Sequence, residues 1–326
     1  MRILLTGATG LLGNNVLEQL LVDGYEVTAL LRDPGRVVAD VSPYSGRYRY
    51  VTGNLCNIED LRQAARGCDG IINCAGVTDM SLRHLEDYYP VNRDLCRNLV
   101  KVAEDEHIGT IVHVSSANTT GYGSAEQVGT EECEMCEPFT RSYYALSKRE
   151  GEEYLLQAAV TCSLKVVIIN PGYIIGRYDV KPTSGKMLLA GWRHRVMAAP
   201  PGGKSFVGVR TVAQAAVAAL HKGRSGERYL VTGENLTFRQ LYELQAKVEG
   251  YRQDVLTLPR WLCKAVGAVG DVMSSLGIKV AFTSRNIDQL LVEEHYSNRK
   301  VQTELDVEIQ PIEAAVREFL QDRGLI

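Results

Sequence analysis

Arg2-Ile3-Leu4-Leu5-Thr6-Gly7-Ala8-Thr9-Gly10-Leu11-Leu12-Gly13 opens the chain and decides how the rest is read. Arg2 to Thr6 is a short, almost wholly apolar run that stops at a glycine, as a strand buried on both faces of a parallel sheet does. Asn14 to Asp23 follows as a helix, with Val16, Leu17, Leu20 and Leu21 on one face and Gly24 at its end. Strand, glycine turn and helix in this order form an anion cradle. Gly7 permits a sharp turn, Gly10 lets backbone approach a diphosphate, and Gly13 lets the helix sit close on the strand. The free N–H groups and dipole of the helix N-terminus then face the phosphates. Thr6, Gly7, Thr9, Gly10, Leu11, Leu12 and Gly13 are therefore candidate dinucleotide contacts. The flanking strand and helix give the glycine triplet its weight.

Outward from this unit the pattern repeats. Strands are expected at Tyr25–Leu31, Tyr48–Thr52, Gly70–Cys74, Thr110–Ser115 and Leu164–Asn170, and helices at Ile58–Ala65, Tyr89–His107 and Tyr143–Ala159. Such alternation indicates βαβ units in an α/β, doubly wound parallel sheet. After Pro171 the regularity drops, and Pro182, Gly185, Pro200, Pro201, Gly202 and Gly203 punctuate loops. A helix at Val212–His221 and a strand at Glu227–Thr232 are expected to return to the main sheet. Helices at Thr237–Val248, Trp261–Leu276, Ser284–Val292 and Ile312–Arg323 are expected to build a smaller region. The expected division is a dinucleotide-binding domain at 1–170, rejoined by about 207–233, and a smaller, mostly helical substrate region at 171–206 and 234–326.

The 326 residues, 45% hydrophobic and 23% charged, exclude a disordered chain, a collagen-like chain and a disulfide-dense mini-domain. A net charge of −3 offers no basic excess for a phosphate backbone, so nucleic acid is not an expected partner. Eight cysteines are scattered, and Met1-Arg2 leads directly into the first strand, so a reducing, cytoplasmic location with free thiols is expected. Cys133 and Cys136 have no second ligand pair, and Glu131, Glu132, Glu134 and Glu137 around them raise thiol pKa values, so a structural or incidental role and no metal are expected. No apolar run reaches the ~18 residues of a membrane span. The nearest, Trp261 to Phe282, is interrupted by Lys264, Asp271 and Lys279 and weakened by Gly267, Gly270 and Gly277. It is expected to pack in the smaller region or line its cleft, with a membrane-surface or dimer contact as the alternative.

Two further stretches carry chemistry. Leu31-Arg32-Asp33-Pro34 ends the second strand, where an acid would accept from an adenosine 2′-hydroxyl and an arginine would pair with a 2′-phosphate. Arg32, with Arg36 beside it, favours NADP; Asp33 would favour NAD after a one-residue shift in register. Tyr144-Ala145-Leu146-Ser147-Lys148 places Tyr144 and Lys148 on one helix face. A nearby ammonium depresses a phenol's pKa and lets it exchange protons near neutrality. The pair follows Ile111-Val112-His113-Val114, a strand ending in Ser115-Ser116, and ligands bind at such strand ends.

With these segments together the chain resembles the extended short-chain dehydrogenase/reductases, the family of nucleotide-sugar epimerases, dihydroflavonol reductases and 3β-hydroxysteroid dehydrogenases. The likeness covers nearly the whole chain and rests on Thr6–Gly13, Gly53-Asn54-Leu55, Asp69-Gly70-Ile71-Ile72-Asn73-Cys74-Ala75-Gly76, Val91-Asn92, Val114–Ala117, Tyr144–Lys148 and Asn170-Pro171-Gly172. It implies a Rossmann-type fold. It also implies that Tyr144 is the acid/base, that Lys148 holds the nicotinamide ribose and tunes Tyr144, and that Ser116 polarises the substrate oxygen. Asn54 and Leu55 would meet the adenine, although the family usually has Asp where Asn54 stands. Cys74, Ala75 and Gly76 would line the phosphate–ribose path, and Pro171, Gly172, Tyr173 and Ile174 the nicotinamide. Val114, Ser115 and Asn92 join the expected cofactor site, Asn92 either in catalysis or in bonding a strand end. Tyr143 is expected to pack or touch substrate, and His84, His113 and His194 to serve in core or surface.

The expected reaction is hydride transfer between a nicotinamide and a carbonyl or secondary alcohol of a small substrate, with NADP as cofactor and NAD as alternative. Ala117-Asn118 stands where a dehydratase of the family has Asp-Glu, so elimination is not expected. A nucleotide-sugar epimerase is the alternative, with Arg177, Arg193, Arg195 and Arg210 available for a diphosphate; a non-catalytic nucleotide-binding protein is the third reading. Arg32-Asp33-Pro34 and Asn170-Pro171-Gly172 are more like the flavonoid and steroid reductase branch. Phe206-Val207-Gly208-Val209-Arg210 replaces a segment that usually contains Asp. The pocket is expected from Val77–Leu85, Tyr122–Gly129, Tyr173–Met187 and parts of 192–206, where Met80, Met187, Trp192 and Phe206 favour an apolar substrate. A homodimer is compatible with this reading.

Overall fold

The computed structural model describes residues 1–180 and 183–326, so Pro182 lies outside the described residues. In chain order the first half runs β1 (Arg2–Thr6), α1 (Leu11–Val22), β2 (Glu26–Leu31), β3 (Tyr48–Thr52), α2 (Ile58–Ala65), β4 (Gly70–Asn73), α3 (Leu95–Asp105), β5 (Thr110–Val114), α4 (Tyr143–Thr161) and β6 (Lys165–Pro171). The second half runs β7 (Tyr173–Ile175), α5 (Lys186–Gly191), β8 (Val196–Ala199), β9 (Gly203–Gly208), α6 (Val209–Ala218), β10 (Glu227–Val231), β11 (Glu234–Thr237), α7 (Phe238–Glu249), β12 (Asp254–Thr257), α8 (Arg260–Ser275), α9 (Ser284–Asp288), α10 (Arg299–Leu305) and α11 (Ile312–Asp322).

Seven strands form one sheet in the order β10-β6-β5-β4-β1-β2-β3, paired in parallel throughout. Side chains alternate across it, as the strand period requires. Leu5, Ile72, Val112 and Ile169 face α1 and α6. Leu4, Ile71, Ile111 and Ile168 face the layer of α2, α3 and α4. All eight are fully buried, and each contributes about 2 kcal/mol of apolar burial. The topology reverses between β1 and β4, and ligands of such sheets bind at that crevice.

Several boundaries differ from the sequence reading; helix α6, for one, runs Val209–Ala218 rather than Val212–His221. Helix α1 begins at Leu11, because the Gly10 carbonyl already accepts from the Asn14 N–H at 3.0 Å. The helix expected over Tyr89–His107 is divided: Pro90–Asp94 forms a wider π-helical turn before α3, a local widening that often marks a functional site. The helix expected over Ser284–Val292 stops at Asp288.

The second region was expected to be mostly helical; it also holds two small sheets, β11-β9-β7 and β12-β8. Its core packs Phe206, Phe238, Leu241, Val316 and Phe319. Phe206 meets Tyr173 and Phe238 edge-to-face at 5.5 and 6.3 Å. Within 234–326, Val301 and Leu305 of α10 pack into the core of the large sheet rather than into this one.

Candidate active site

The phosphate loop is shaped by three glycine positions. Gly7 has φ +73, and a Cβ there would fall 2.6 Å from the Ala75 N. A Cβ on Gly13 would fall 1.9 Å from the Gly7 carbonyl oxygen. Only glycine fits either position, and the turn that results brings the ends of β1 and β4 together at the switch point. Gly10 caps α1 with no side-chain hydrogen bond and no acid in the first turn, which leaves the N–H groups at Leu11, Leu12 and Gly13 for an anion. Behind the loop the Thr6 hydroxyl bonds Asn73 Oδ1 at 2.5 Å, and that oxygen also accepts from the Ala75 N–H at 3.2 Å. Asn73 Nδ2 then donates to His113 Nδ1 at 2.9 Å. A buried polar rung thus crosses β1, β4 and β5. Burial holds the His113 imidazole well below its ordinary pKa.

Asn14 and Asn15 were not singled out by sequence. Asn14 is buried, and its Oδ1 accepts from the N–H groups of Val38 and Ala39 at 2.9 and 3.1 Å, fastening the loop after Arg36 to α1. Asn15 Nδ2 donates to the Arg177 carbonyl at 3.1 Å and ties the second region to the same helix.

At the carboxyl end of β5 the expected catalytic residues converge. The Ser116 hydroxyl accepts from the Asn118 N–H at 3.2 Å and lies near enough to the Tyr144 phenol to favour its ionised form. Lys148 is buried, and its ammonium donates to the Val114 carbonyl at 2.7 Å. A Cβ on Gly76 would lie 3.5 Å from Lys148 Nζ and 3.6 Å from Asn92 Oδ1, so both flank that loop. Asn92 clamps Val77, accepting from its N–H at 2.8 Å and donating to its carbonyl at 3.0 Å, and reaches Ser147 Oγ at 2.9 Å. Of its two expected roles, this geometry is that of a strand-end clamp.

One expectation is corrected. Burial pushes the Tyr144 phenol above its ordinary pKa, and the Ser116 hydroxyl offsets part of that rise. The Lys148 ammonium is engaged at Val114, and burial lowers its own pKa. In this structure the phenol is therefore a proton-holding group, not a lysine-depressed one. Cys74 beside it is held protonated, pushed up to about 12 by burial.

Sequence reading also missed the hub beneath these residues. Glu152 is fully buried, and its Oε2 accepts from Ser115 Oγ at 2.6 Å, Thr119 Oγ1 at 2.8 Å and Asn170 Nδ2 at 3.1 Å. Its Oε1 pairs with Arg228 of β10. One carboxylate thereby locks β5, β6, β10 and α4 together. The visible signal was spacing: Tyr144, Lys148 and Glu152 recur every fourth residue on one helix face.

The remaining expected contacts surround this centre. Arg32 is exposed and follows β2, while the Asp33 carboxylate is turned into its own turn, accepting from the Gly35 N–H at 3.0 Å. Asn54 Oδ1 accepts from the Cys56 N–H at 3.1 Å, and its own N–H donates to Asp60 at 2.8 Å; Leu55 packs on the core below. Pro171 ends β6. Gly172 lies so close to the second region that a Cβ would fall 2.3 Å from the Ser205 carbonyl oxygen. Ile174 pairs with Val207, and the Tyr173 hydroxyl donates to the Ser184 carbonyl at 3.0 Å, away from the sheet's edge.

Only parts of the expected pocket line either of two cavities: Arg83 and His84, Tyr122–Gly129 and Pro201 do, whereas Met80, Tyr173, Met187, Trp192 and Phe206 are in neither lining, and Trp192 and Phe206 pack in the core of the second region instead. One of about 850 Å³ is lined by Tyr122–Gly129, Cys133, Pro201 and His295, and its lining includes none of Ser116, Tyr144 and Lys148. The other, about 420 Å³, is lined by Arg83, His84, Tyr143, Asp271, Thr283 and Arg285. The Arg285 guanidinium stacks 3.5 Å from the centre of the Tyr143 ring. Cys133 and Cys136 are free, and Cys133 Sγ accepts from the Thr130 N–H at 3.4 Å.

The glycine loop, the switch-point crevice and the Ser116–Tyr144–Lys148 cluster fit one known family. The profile of the NAD dependent epimerase/dehydratase family matches residues 3–232. The chain belongs to that family. It is an NAD(P)-dependent enzyme of the extended short-chain dehydrogenase/reductase type. Over 274 residues it is 30% identical to "Sterol demethylase protein B" of Methylococcus capsulatus, covering 83% of this chain and 81% of that protein. It is 27% identical to a "Putative dihydroflavonol 4-reductase" of Synechocystis sp. across 98% of this chain and 95% of that one. Among solved structures, gox2253 superimposes with a TM-score of 0.84 at 24% identity over 99% of both chains. The Thermus thermophilus UDP-glucose 4-epimerase in complex with NAD superimposes with a TM-score of 0.76 at 20% identity over 100% of both. At these identities the likeness to the solved structures speaks for the fold. No helix among the described residues is long and apolar enough to cross a membrane.

Proposed function

We propose that this family member is an NADP-using oxidoreductase acting on a carbonyl or secondary alcohol of a small apolar substrate. The observation that carries the reading is the convergence of Ser116, Tyr144 and Lys148 at the end of β5, with Lys148 one turn on from Tyr144 and anchored on the Val114 carbonyl at 2.7 Å. The uncapped α1 N-terminus and the Gly7/Gly13 cradle fit a diphosphate, and the Gly76, Asn92 and Lys148 cluster fits the ribose beyond it. Bound there, a nicotinamide supplies or accepts the hydride. Ser116 polarises the substrate oxygen, and Tyr144, protonated at rest, delivers its proton to that oxygen in reduction; in oxidation the phenol must first give its proton up to solvent, and the phenolate then takes the alcohol's proton. Lys148 holds its place through the Val114 carbonyl and flanks the Gly76 loop, where the ribose would lie.

NADP is favoured because Arg32 stands exposed at the strand end while Asp33 is already committed to Gly35. An apolar substrate is supported by relatives named for sterols and a dihydroflavonol. The epimerase alternative loses support in the second region. Arg177 is paired with Glu18 and Arg210 with Glu318, so half of the arginines expected to meet a sugar diphosphate are already bound. The test is titration of the purified protein with NADPH and NADH, then a carbonyl panel followed at the cofactor absorbance. Tyr144→Phe should lower turnover by roughly 10²–10⁴-fold while leaving cofactor affinity intact. Wild-type turnover in that variant, or interconversion of UDP-sugars with retained NAD, refutes the reading.

A further inference from the structure

The stretch from Trp261 to Phe282 takes no part in the chemistry above, and its exposure needs a reason. We propose that α8 docks the enzyme on an anionic lipid surface, lying flat with Trp261, Val269, Val272 and Leu276 in the headgroup boundary. The inference does not depend on the reaction assigned to the site.

Helix α8 is apolar on two opposite faces. The inner face is Cys263, Gly267 and Gly270. The glycines sit so close to the following chain that a Cβ would fall 2.9 Å from the Ser284 Cα and 2.1 Å from the Phe282 carbonyl oxygen. That packing turns a second stripe outward, because Trp261, Ala265, Ala268, Val272 and Leu276 recur at helical spacing on the far side. Trp261 is 70% exposed, Val269 57%, Val272 61% and Leu276 74%. Ile278 and Phe282, also exposed, prolong the patch past the helix end. Such a continuous apolar stripe in water marks an interaction site.

The charge around the patch selects the occupant. Arg83, Lys264 and Lys279 border it, all exposed, and none forms an ion pair among the described residues. Asp271, the one acid on the helix, is exposed on the same edge as Lys264 and accepts from the Ser284 N–H at 3.0 Å, so the surroundings stay net positive. A chain with a net charge of −3 thus gathers free positive charge around its exposed tryptophan helix. Trp on an apolar face with flanking Lys and Arg is the composition of a helix that lies in the membrane interface. Spanning is excluded, since 16 residues at about 1.5 Å each give roughly 24 Å, short of the ~30 Å hydrocarbon core. A second copy is a poorer occupant. A stripe roughly 24 Å by 10 Å covers on the order of 240 Å², well below the ~800 Å² per partner of a stable interface. The other edge of α8, at Asp271, Ser274 and Ser275, lines the cavity that contains Tyr143. The face proposed to meet lipid therefore borders a cavity that reaches Tyr143 at the start of α4.

The test is co-sedimentation of the intact protein with phosphatidylglycerol vesicles and with phosphatidylcholine vesicles, at low and high salt. Binding to the anionic vesicles is expected, weakened by salt and weak on phosphatidylcholine. Val272→Glu with Leu276→Glu should reduce it about tenfold or more, since two exposed side chains no longer enter lipid. Lys264→Glu with Lys279→Glu should reduce it through charge alone. All four side chains stand in solvent, so unchanged thermal melts identify both variants as folded. In Trp192→Phe the remaining Trp261 should show a blue-shifted emission with anionic vesicles only. No binding to either vesicle, equal binding to both, or full binding by the Val272/Leu276 variant overturns the proposal. So does a dimer in solution that the Val272/Leu276 variant dissolves.

Discussion

Glu152→Gln removes one negative charge from the buried hub and changes almost nothing in shape. The carboxylate has no exposed surface, and it serves an arginine on one oxygen and three donors on the other. An amide cannot replace it in either orientation. With its NH2 toward Arg228, donor meets donor. With its NH2 toward Asn170, donor again meets donor, while Ser115 and Thr119 lose their acceptor. Breaking a buried pair from one side costs roughly 3–5 kcal/mol. Arg228 keeps 22% of its side chain exposed, and water can partly solvate it, so the low end applies, about 3 kcal/mol. For a chain of this size ~2 °C per kcal/mol converts that loss to a melting drop of about 6 °C. Glu152 also raises the proton affinity of Lys148 against the effect of burial. The variant's lysine should lose its proton at lower pH, and the alkaline limb of the pH–rate profile should move down with it. The assays are a thermal melt and a pH–rate profile of Glu152→Gln beside wild type. A cycle with Arg228→Met should return a coupling of about 1–3 kcal/mol. A melting temperature within ~1 °C of wild type would mean that the hub is not held by charge, and the argument fails.

Gly13→Ala puts a methyl against the Gly7 carbonyl oxygen, which is backbone and cannot rotate away; a urea midpoint should record a loss of about 3 kcal/mol. His113 is buried neutral, with its pKa well below 6.5, so the unfolded chain takes up a proton near that pH while the folded one does not. Its contribution is complete above pH 6.5 and is lost as pH falls below it, at about 1.4 kcal/mol per pH unit, a slope that His113→Asn should flatten in urea melts at stepped pH. Arg32→Ala should weaken NADPH by roughly 5–30-fold, an exposed charge-assisted hydrogen bond's worth, and leave NADH within about twofold; equal losses for both would assign the 2′-phosphate to another residue.

The large sheet was legible because each of its strands is decided locally. Tyr48–Thr52 and Ile58–Ala65 appear with the boundaries that their sequence gives, the strand ended by Gly53 and the helix capped by Asn57, whose side chain accepts from Glu59 and Asp60. The small sheets were not legible, because their strands exist only through distant partners. Gly203–Gly208 has no alternation to betray it, all six residues being buried, and its edges are supplied by Tyr173–Ile175 and Glu234–Thr237. The π-helical turn at Pro90–Asp94 was hidden for a related reason. Its apolar spacing is helical, and only the tertiary bonds of Asn92 to Val77 and Ser147 show why an extra residue per turn is retained.

The active-site helix shows where a spacing rule stops. An i, i+4 relation puts Tyr144 and Lys148 on one face, and that much is geometry. It does not say which atom the ammonium meets. The nearest strong acceptor at the end of β5 is the Val114 carbonyl, and Lys148 goes there, 2.7 Å away. The phenol, left in a dry site with a neutral hydroxyl for company, answers to burial, and its pKa rises. Spacing predicted a tyrosine ready to lose its proton; the packed site gives one that keeps it. The same stripe then explains its own stability. Glu152, a further turn along, opposes part of the downward shift that burial imposes on the lysine. Three side chains on consecutive turns thus divide the work: Glu152 favours the charged form of Lys148, Lys148 stays on the Val114 carbonyl, and Tyr144 holds the proton at the mouth of the strand.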